Sequence, residues 1–143
     1  MAFFKNSKEV VDCIGGLFDW AGRHPEVAPK LKATGLVIRL NYTNPETVIT
    51  IDCANPPQQP GMVVSWCEGP GGLTPEVEFF MTADVGHRFW LGKVNLLVAL
   101  TKRDVVAKGP IFKIMKILPI LKPLYSQYPK ILEAKGKAEL VVG

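Results

Sequence analysis

The chain has 143 residues, the length of one domain. With 48% hydrophobic and 21% charged residues it reads as a globular chain able to bury a core, which excludes a disordered or collagen-like protein. The net charge of +4 is unevenly placed: seven lysines in residues 108–143 stand against Glu133 and Glu139, so that segment carries +5 and residues 1–107 carry −1. A basic end raises an anionic membrane surface or a nucleic acid as partner, although a solvated helix face is its commoner meaning.

Three cysteines, Cys13, Cys53 and Cys67, form an odd set without a CxxC pair, which predicts free thiols in a reducing cytoplasm. The start "MAFFKNSKE" holds no apolar signal core, and no apolar run approaches the roughly 18 residues of a membrane span. The expectation is a cytoplasmic domain.

Taken in chain order, "SKEVVDCIGGLFDWAG" (7–22) predicts a helix capped by Ser7, with Val10, Ile14, Leu17 and Phe18 on one face. Gly15-Gly16 opposes it by roughly 1 kcal/mol per glycine. A second short helix starts at Pro25 and ends before Gly35. The period then shortens to two. Residues 36–40, 47–51, 62–67 and 77–82 predict four strands, with Leu36, Ile38, Leu40, Ile49, Ile51, Val64, Trp66, Val77, Phe79 and Met81 facing inward. The opposite face mixes polar with apolar residues and is expected to be partly covered. Thr82 caps a helix that runs through Trp90 and stops at Gly92, with Val85, Phe89 and Trp90 inward and His87, Arg88 and Lys93 facing solvent or capping a turn. Asn95 begins "LLVALTK". "DVVAKG" (104–109) is a last strand with Val105 and Ala107 inward. Ile111, Ile114, Met115 and Leu118 form a closing helical stripe, and Pro119, Pro123 and Pro129 break the chain beyond it into short pieces. Clustered strands followed by clustered helices predict an α+β fold with a mostly antiparallel sheet. The return of the fifth strand after two helices encloses space between sheet and helices.

The chemistry is sparse. His24 and His87 lie 63 residues apart and no cysteine or histidine pair has zinc-ligand spacing, so no metal is expected. No GxSxG occurs, and nothing in the sequence places a base beside Cys67. A small enzyme using Cys67 or His87 is the weakest reading. "GPGGLTPE" (69–76) lacks the P-loop lysine and precedes a strand, so it is a turn rather than a phosphate cradle. Aromatics do not interleave with a dense basic stripe, and no nucleic acid is expected. The stretch from Ile111 to Tyr128, with apolar side chains, lysines and two tyrosines, suits contact with an anionic membrane surface, against the simpler meaning of a face packed on the sheet.

The segment "FWLGKVNLLVAL…RDVVAKGPIFKIMKILPIL" resembles the sterol carrier protein 2 family, whose pattern is a short helix, a Gly-Lys-hydrophobic-Asn step, an apolar helix, an alternating strand ending in glycine and a closing helix. Here the step is Gly92-Lys93-Val94-Asn95 and the strand ends at Gly109. Arg103 stands where the family often has a glycine, and Val106 replaces a usual charge. The resemblance runs from about Leu17 to Leu118. It implies a five-stranded, largely antiparallel sheet with helices on one side and a hydrophobic tunnel between them. The chain is expected to be a single domain with a core of about residues 7–118, and its helical, proline-rich C-terminal extension at 119–143 is unlike the compact family core.

The function so implied is non-catalytic binding and transfer of a fatty acid, acyl-CoA or sterol-like lipid, without a cofactor. The alternative is an accessory protein that presents a lipophilic substrate such as a quinone precursor to an enzyme. The expected ligand-binding residues are Trp66, Phe79, Met81, Phe89, Trp90, Leu97, Leu100, Ile111, Met115 and Leu118. A homodimer whose second subunit completes the tunnel is the alternative assembly. Contact with twelve or so methylenes offers about 10 kcal/mol at roughly 0.8 kcal/mol each, enough for micromolar binding after the costs of association.

Overall fold

The computed structural model describes residues 3–142. Helices α1 (Ser7–Arg23) and α2 (Val27–Thr34) lead into strands β1 (Val37–Thr43), β2 (Thr47–Asp52), β3 (Ser65–Glu68) and β4 (Val77–Thr82). Helices α3 (Ala83–Trp90) and α4 (Leu96–Lys102), strand β5 (Val106–Lys108) and helix α5 (Ile111–Ala134) come next, and a 3₁₀ turn spans Ala138–Leu140. This is the expected order of elements in an α+β fold. Among the described residues, no helix is long and apolar enough to cross a membrane.

The five strands form one sheet in the order β3-β2-β1-β4-β5. Three of its ladders are antiparallel and β1–β4 is parallel. A parallel neighbour requires a crossover. Here the connection between β3 and β4 lies over the outer face of the sheet, where Arg39 Nη2 donates to the carbonyls of Pro70 at 3.1 Å and Leu73 at 2.8 Å. Thr50 Oγ1 adds a 2.6 Å bond to the Gly69 carbonyl. The outer face is thus covered in part by a loop, and the helices lie on the other side. On that inner face the register sets Ile38 beside Ile51 and Leu40 beside both Ile49 and Phe79.

The ends of the helices reflect local chemistry. Asn6, not Ser7, caps α1: its side chain accepts from the Glu9 amide at 2.9 Å. Thr82 caps α3 and Asn95 caps α4 as expected, each accepting from an amide three residues on. Gly35 ends α2 with a left-handed φ of 64°. Gly15 fits inside α1 because the Trp66 ring of β3 lies where its Cβ would stand.

Two expectations for the C-terminal part fail. Pro119, Pro123 and Pro129 do not break the chain; α5 runs 24 residues through all three. Pro119 and Pro123 are exposed, so the carbonyls they leave unpaired, those of Met115 and Pro119, lie on the solvent side, while an apolar stripe holds the helix down from beneath. That stripe is Ile114, Ile117, Leu121, Leu124, Tyr128 and Leu132, not the expected Ile111, Ile114, Met115 and Leu118. Ile111 and Met115 are 67% and 47% exposed, and Leu118 is half-buried. Residues 119–142 therefore contribute to the same core: Leu121, Leu124, Tyr128, Leu132 and Leu140 all belong to it. α5 packs on α1, α2 and α3. Salt bridges from Lys135 to Asp12 (3.0 Å) and from Lys137 to Glu9 (2.9 Å) fasten its end to α1.

Candidate functional site

An apolar cavity lies between the inner face of the sheet and the helical layer. The sheet supplies Ile38, Leu40, Ile51, Phe79 and Met81 to its wall. Each helix supplies one or two side chains: Phe18 from α1, Leu31 from α2, Phe89 and Trp90 from α3, Leu96 from α4, and Ile117 and Leu121 from α5. The polar atom of the wall, Trp90 Nε1, is occupied by a 3.1 Å hydrogen bond to the Tyr42 hydroxyl. Phe18 and Phe89 pack edge-on against Trp90, at centroid distances of 5.4 and 4.9 Å. The enclosed volume is about 30 Å³, room for no more than a water or two. The implied tunnel is therefore a collapsed apolar cavity here, well short of the roughly 300 Å³ at which drug-sized ligand pockets begin. A larger depression of about 660 Å³ beside Thr50, Asp52, Ser65 and Cys67 is open to water and lined by a mixture of polar and apolar groups.

Four of the ten expected ligand-binding residues meet at the cavity: Phe79, Met81, Phe89 and Trp90. The other six do not line it. Trp66 lies against Gly15 of α1 and donates to Asp19 Oδ1 at 2.7 Å, under the edge of the helical layer. Leu97 is 54% exposed, because α4 turns Leu96 inward in its place. Leu100 is half-buried in a shallow surface groove with Arg103 and Val105. Ile111 and Met115 stand exposed on the outer side of α5, and Leu118 is half-buried against the core without reaching the cavity. The expected list missed Phe18, Leu31, Ile38, Leu40, Ile51, Leu96, Ile117 and Leu121. The strand residues among these had a signal, since alternation already turned Ile38, Leu40 and Ile51 inward. Ile117 stands one position from the stripe expected for residues 111–118, and Leu121 carries no signal if the helix ends at Pro119.

His87 corrects another expectation. It does not face solvent; it is fully buried beneath the C-terminal turn. One ring nitrogen, Nε2, lies 2.7 Å from the Leu140 carbonyl, which can only accept, so Nε2 carries the proton. Nδ1 then accepts from the Tyr128 hydroxyl at 2.9 Å. Phe3 and Phe4 close over the ring at 4.8 and 5.1 Å. With both nitrogens engaged, His87 presents nothing to a substrate. Burial pushes the Cys13 thiol up to about 11 and the Cys53 thiol up to about 12, and raises that of Cys67, so no thiol is activated as a nucleophile at neutral pH. Among the described residues no group of three His, Cys, Asp or Glu side chains is placed to hold a metal ion.

The sequence matches no family model and no curated protein. The architecture, in contrast, matches solved structures over most of its length. Sterol carrier protein 2 from Yarrowia lipolytica, in its apo form, superposes with a TM-score of 0.61 at 17% identity, covering 83% of this chain and 91% of that one. The chain has the sterol carrier protein 2 fold. Sterol carrier protein domain 2 of Helicoverpa armigera gives a TM-score of 0.65 at 14% identity, over 82% of this chain and 89% of that one. The UbiJ-SCP2 ubiquinone synthesis protein gives 0.57 at 13% identity, over 87% and 95%. Within the sterol carrier protein 2 fold of this chain, the cavity occupies the space between sheet and helices. Arg103, which the sequence aligned with a family glycine, closes α4 in the left-handed conformation that glycine favours, at φ 64°.

Proposed function

We propose that this protein is a non-catalytic carrier that takes up the hydrophobic chain of a fatty acid, acyl-CoA or sterol-like lipid between its sheet and its helical layer. The observation that carries this reading is the cavity itself, walled by apolar side chains from every helix and three strands, its one polar atom already paired. Selectivity in such a site is for apolar surface of adaptable shape, and the flexible thioether chain of Met81 stands beside the aromatic rings of Phe79 and Phe89 in the lining. Solved neighbours named as sterol carrier proteins support the same reading. Free thiols fit a reducing, cytoplasmic setting.

The small volume has a physical reason. Holding an empty cavity of roughly 300 Å³ would cost on the order of 7 kcal/mol at about 24 cal/mol per Å³, comparable with the whole stability of a domain. Without ligand the walls close, and the ligand's own chain replaces the contacts that opening gives up.

Titration with a fluorescent fatty acid tests the proposal. Saturable uptake of one molecule per chain is expected, with micromolar affinity, and Leu121→Phe, which fills the cavity, weakens it at least tenfold. Absence of saturable uptake by the unaltered protein overturns the carrier reading. A second reading is favoured by the ubiquinone synthesis neighbour: the same cavity presents a quinone precursor to an enzyme. Affinity capture of a stable enzyme partner supports that alternative, and unaided vesicle-to-vesicle transfer by the isolated protein counts against it.

A further inference from the structure

Most of the exposed apolar side chains and of the positive charge of this protein fall in the same stretch of the chain. Of the eight large apolar residues exposed among the described residues, five lie on α4 and the first two turns of α5: Leu97, Val98, Ile111, Phe112 and Met115. Residues 88–130 hold nine basic side chains against one acid, Asp104, a net +8, while the rest of the chain carries −4. This shifts the basic region away from the tail suggested by sequence. Lys135 and Lys137 are held by Asp12 and Glu9 on α1. Lys93, Lys102, Lys116 and Lys122 make no ion pair among the described residues.

α4 and α5 are also cavity walls. Leu96 and Ile117 point inward from them, one and two positions from exposed Leu97 and Met115. The two helices are joined by only the short segment 103–110, which contains β5.

We propose that α4 and the N-terminal turns of α5 form a surface that docks on a bilayer containing anionic phospholipid, with Leu97, Val98, Ile111, Phe112 and Met115 entering the interface and the surrounding lysines meeting the headgroups. Large apolar side chains set among cations are rewarded by a surface that is anionic outside and apolar beneath. A nucleic-acid backbone offers nothing to Phe112 and Ile111. A twofold dimer through this face would bring two lysine-rich surfaces together. Docking stands on the surface residues alone; the added inference that the bound chain passes from the bilayer between α4 and α5 rests on the carrier reading.

Sedimentation of the full chain with vesicles tests it, using phosphatidylcholine alone and phosphatidylcholine carrying phosphatidylglycerol. Binding to the anionic vesicles is expected to be at least tenfold tighter and to fall as salt rises. Lys116→Glu with Lys122→Glu should weaken it by at least about fivefold per lysine. Ile111→Asp with Phe112→Asp, both at exposed positions, should weaken it at least tenfold without lowering the melting temperature. Val63→Asp, at an exposed apolar position in another part of the chain, should bind as the unaltered protein does. Equal binding to both vesicles overturns the proposal, as does undiminished binding by the Ile111/Phe112 variant. Retention of a DNA fragment or dimer formation through this face, without vesicle binding, overturns it in favour of those occupants. Fatty-acid uptake from solution separates the two claims: it persists in the Ile111/Phe112 variant if only docking is lost. Vesicle binding without any such uptake removes the carrier reading and leaves docking in place.

Discussion

His87 shows how one side chain can fasten distant parts of a small domain. Its two nitrogens join α3 to Tyr128 of α5 and to the Leu140 carbonyl of the last turn, and Phe3 and Phe4 seal it. Burial is the main cause that holds its imidazole below the ordinary value of 6.5, opposed by the Leu140 carbonyl and Asp84. The unfolded chain therefore takes up a proton at a higher pH than the folded one. Stability from this site is complete above pH 6.5 and declines as pH falls from there toward the depressed value. A denaturant midpoint that falls over this window in the unaltered protein, and falls less in His87→Gln, is the expected outcome. His87→Ala should cost about 3 kcal/mol, through a cavity and the loss of partners for Tyr128 and Leu140. Arg103 works in the opposite sense. Its left-handed φ of 64° strains a residue with a Cβ, and Arg103→Gly should raise stability by about 1 kcal/mol in the same denaturation measurement. Gly15→Ala should lose stability by about 1–3 kcal/mol despite the better helix propensity of alanine, because the new methyl meets the Trp66 ring.

At the scale of elements, α5 combines a continuous apolar underside with a weakened ladder. Its prolines leave the carbonyls of Met115, Pro119 and Tyr125 without their helical donors. Its first turns carry exposed Ile111, Phe112 and Met115, whereas Leu124, Tyr128 and Leu132 are fully buried. Amide exchange should therefore be faster from Phe112 to Leu118 than from Leu124 to Leu132, and that gradient should shrink when a fatty acid is bound. Pro119→Ala restores a donor on the exposed side and should stabilise the helix by about 1 kcal/mol or more in a thermal melt. The proline spacing also explains why part of the fold was hidden in the sequence. Alternation in β1, β2 and β4 made the inner face of the sheet readable, because a strand buried on one side must repeat every two residues. Caps at Thr82 and Asn95 were readable because only short polar side chains satisfy the first amides of a helix. The parallel β1–β4 pair was not, since its paired residues, such as Ile38 and Val77, lie far apart in sequence and the loop that Arg39 holds carries no local signal of the crossover. The burial of His87 was equally hidden, because its partners lie 41 and 53 residues away. Four cavity residues could be named from sequence. Leu121 could not, because local proline chemistry indicates a break that tertiary packing overrides, and Ile117 stands one position from the stripe that the apolar pattern before Pro119 suggests.

The whole molecule is a sheet with one helical side, an apolar cavity of about 30 Å³ between them, and a basic, partly apolar surface on two of the helices that close it. For a carrier, this closed form is the resting state of a container. Ligand that binds only the folded chain must stabilise it, by about 2.7 kcal/mol at a hundredfold excess over the dissociation constant. A melting temperature that rises with fatty-acid concentration is the expected sign, and Leu121→Phe should melt at or above the unaltered protein yet show little such rise. The carrier reading turns on where the bound chain lies. Isotope-filtered NMR of labelled protein saturated with an unlabelled fatty acid measures that directly. Uptake into the cavity gives contacts from the chain methylenes to Met81, Trp90, Leu96 and Leu121. Contacts confined to the outer cleft at Trp66, Cys67 and Leu73, with none to those four residues, would refute it.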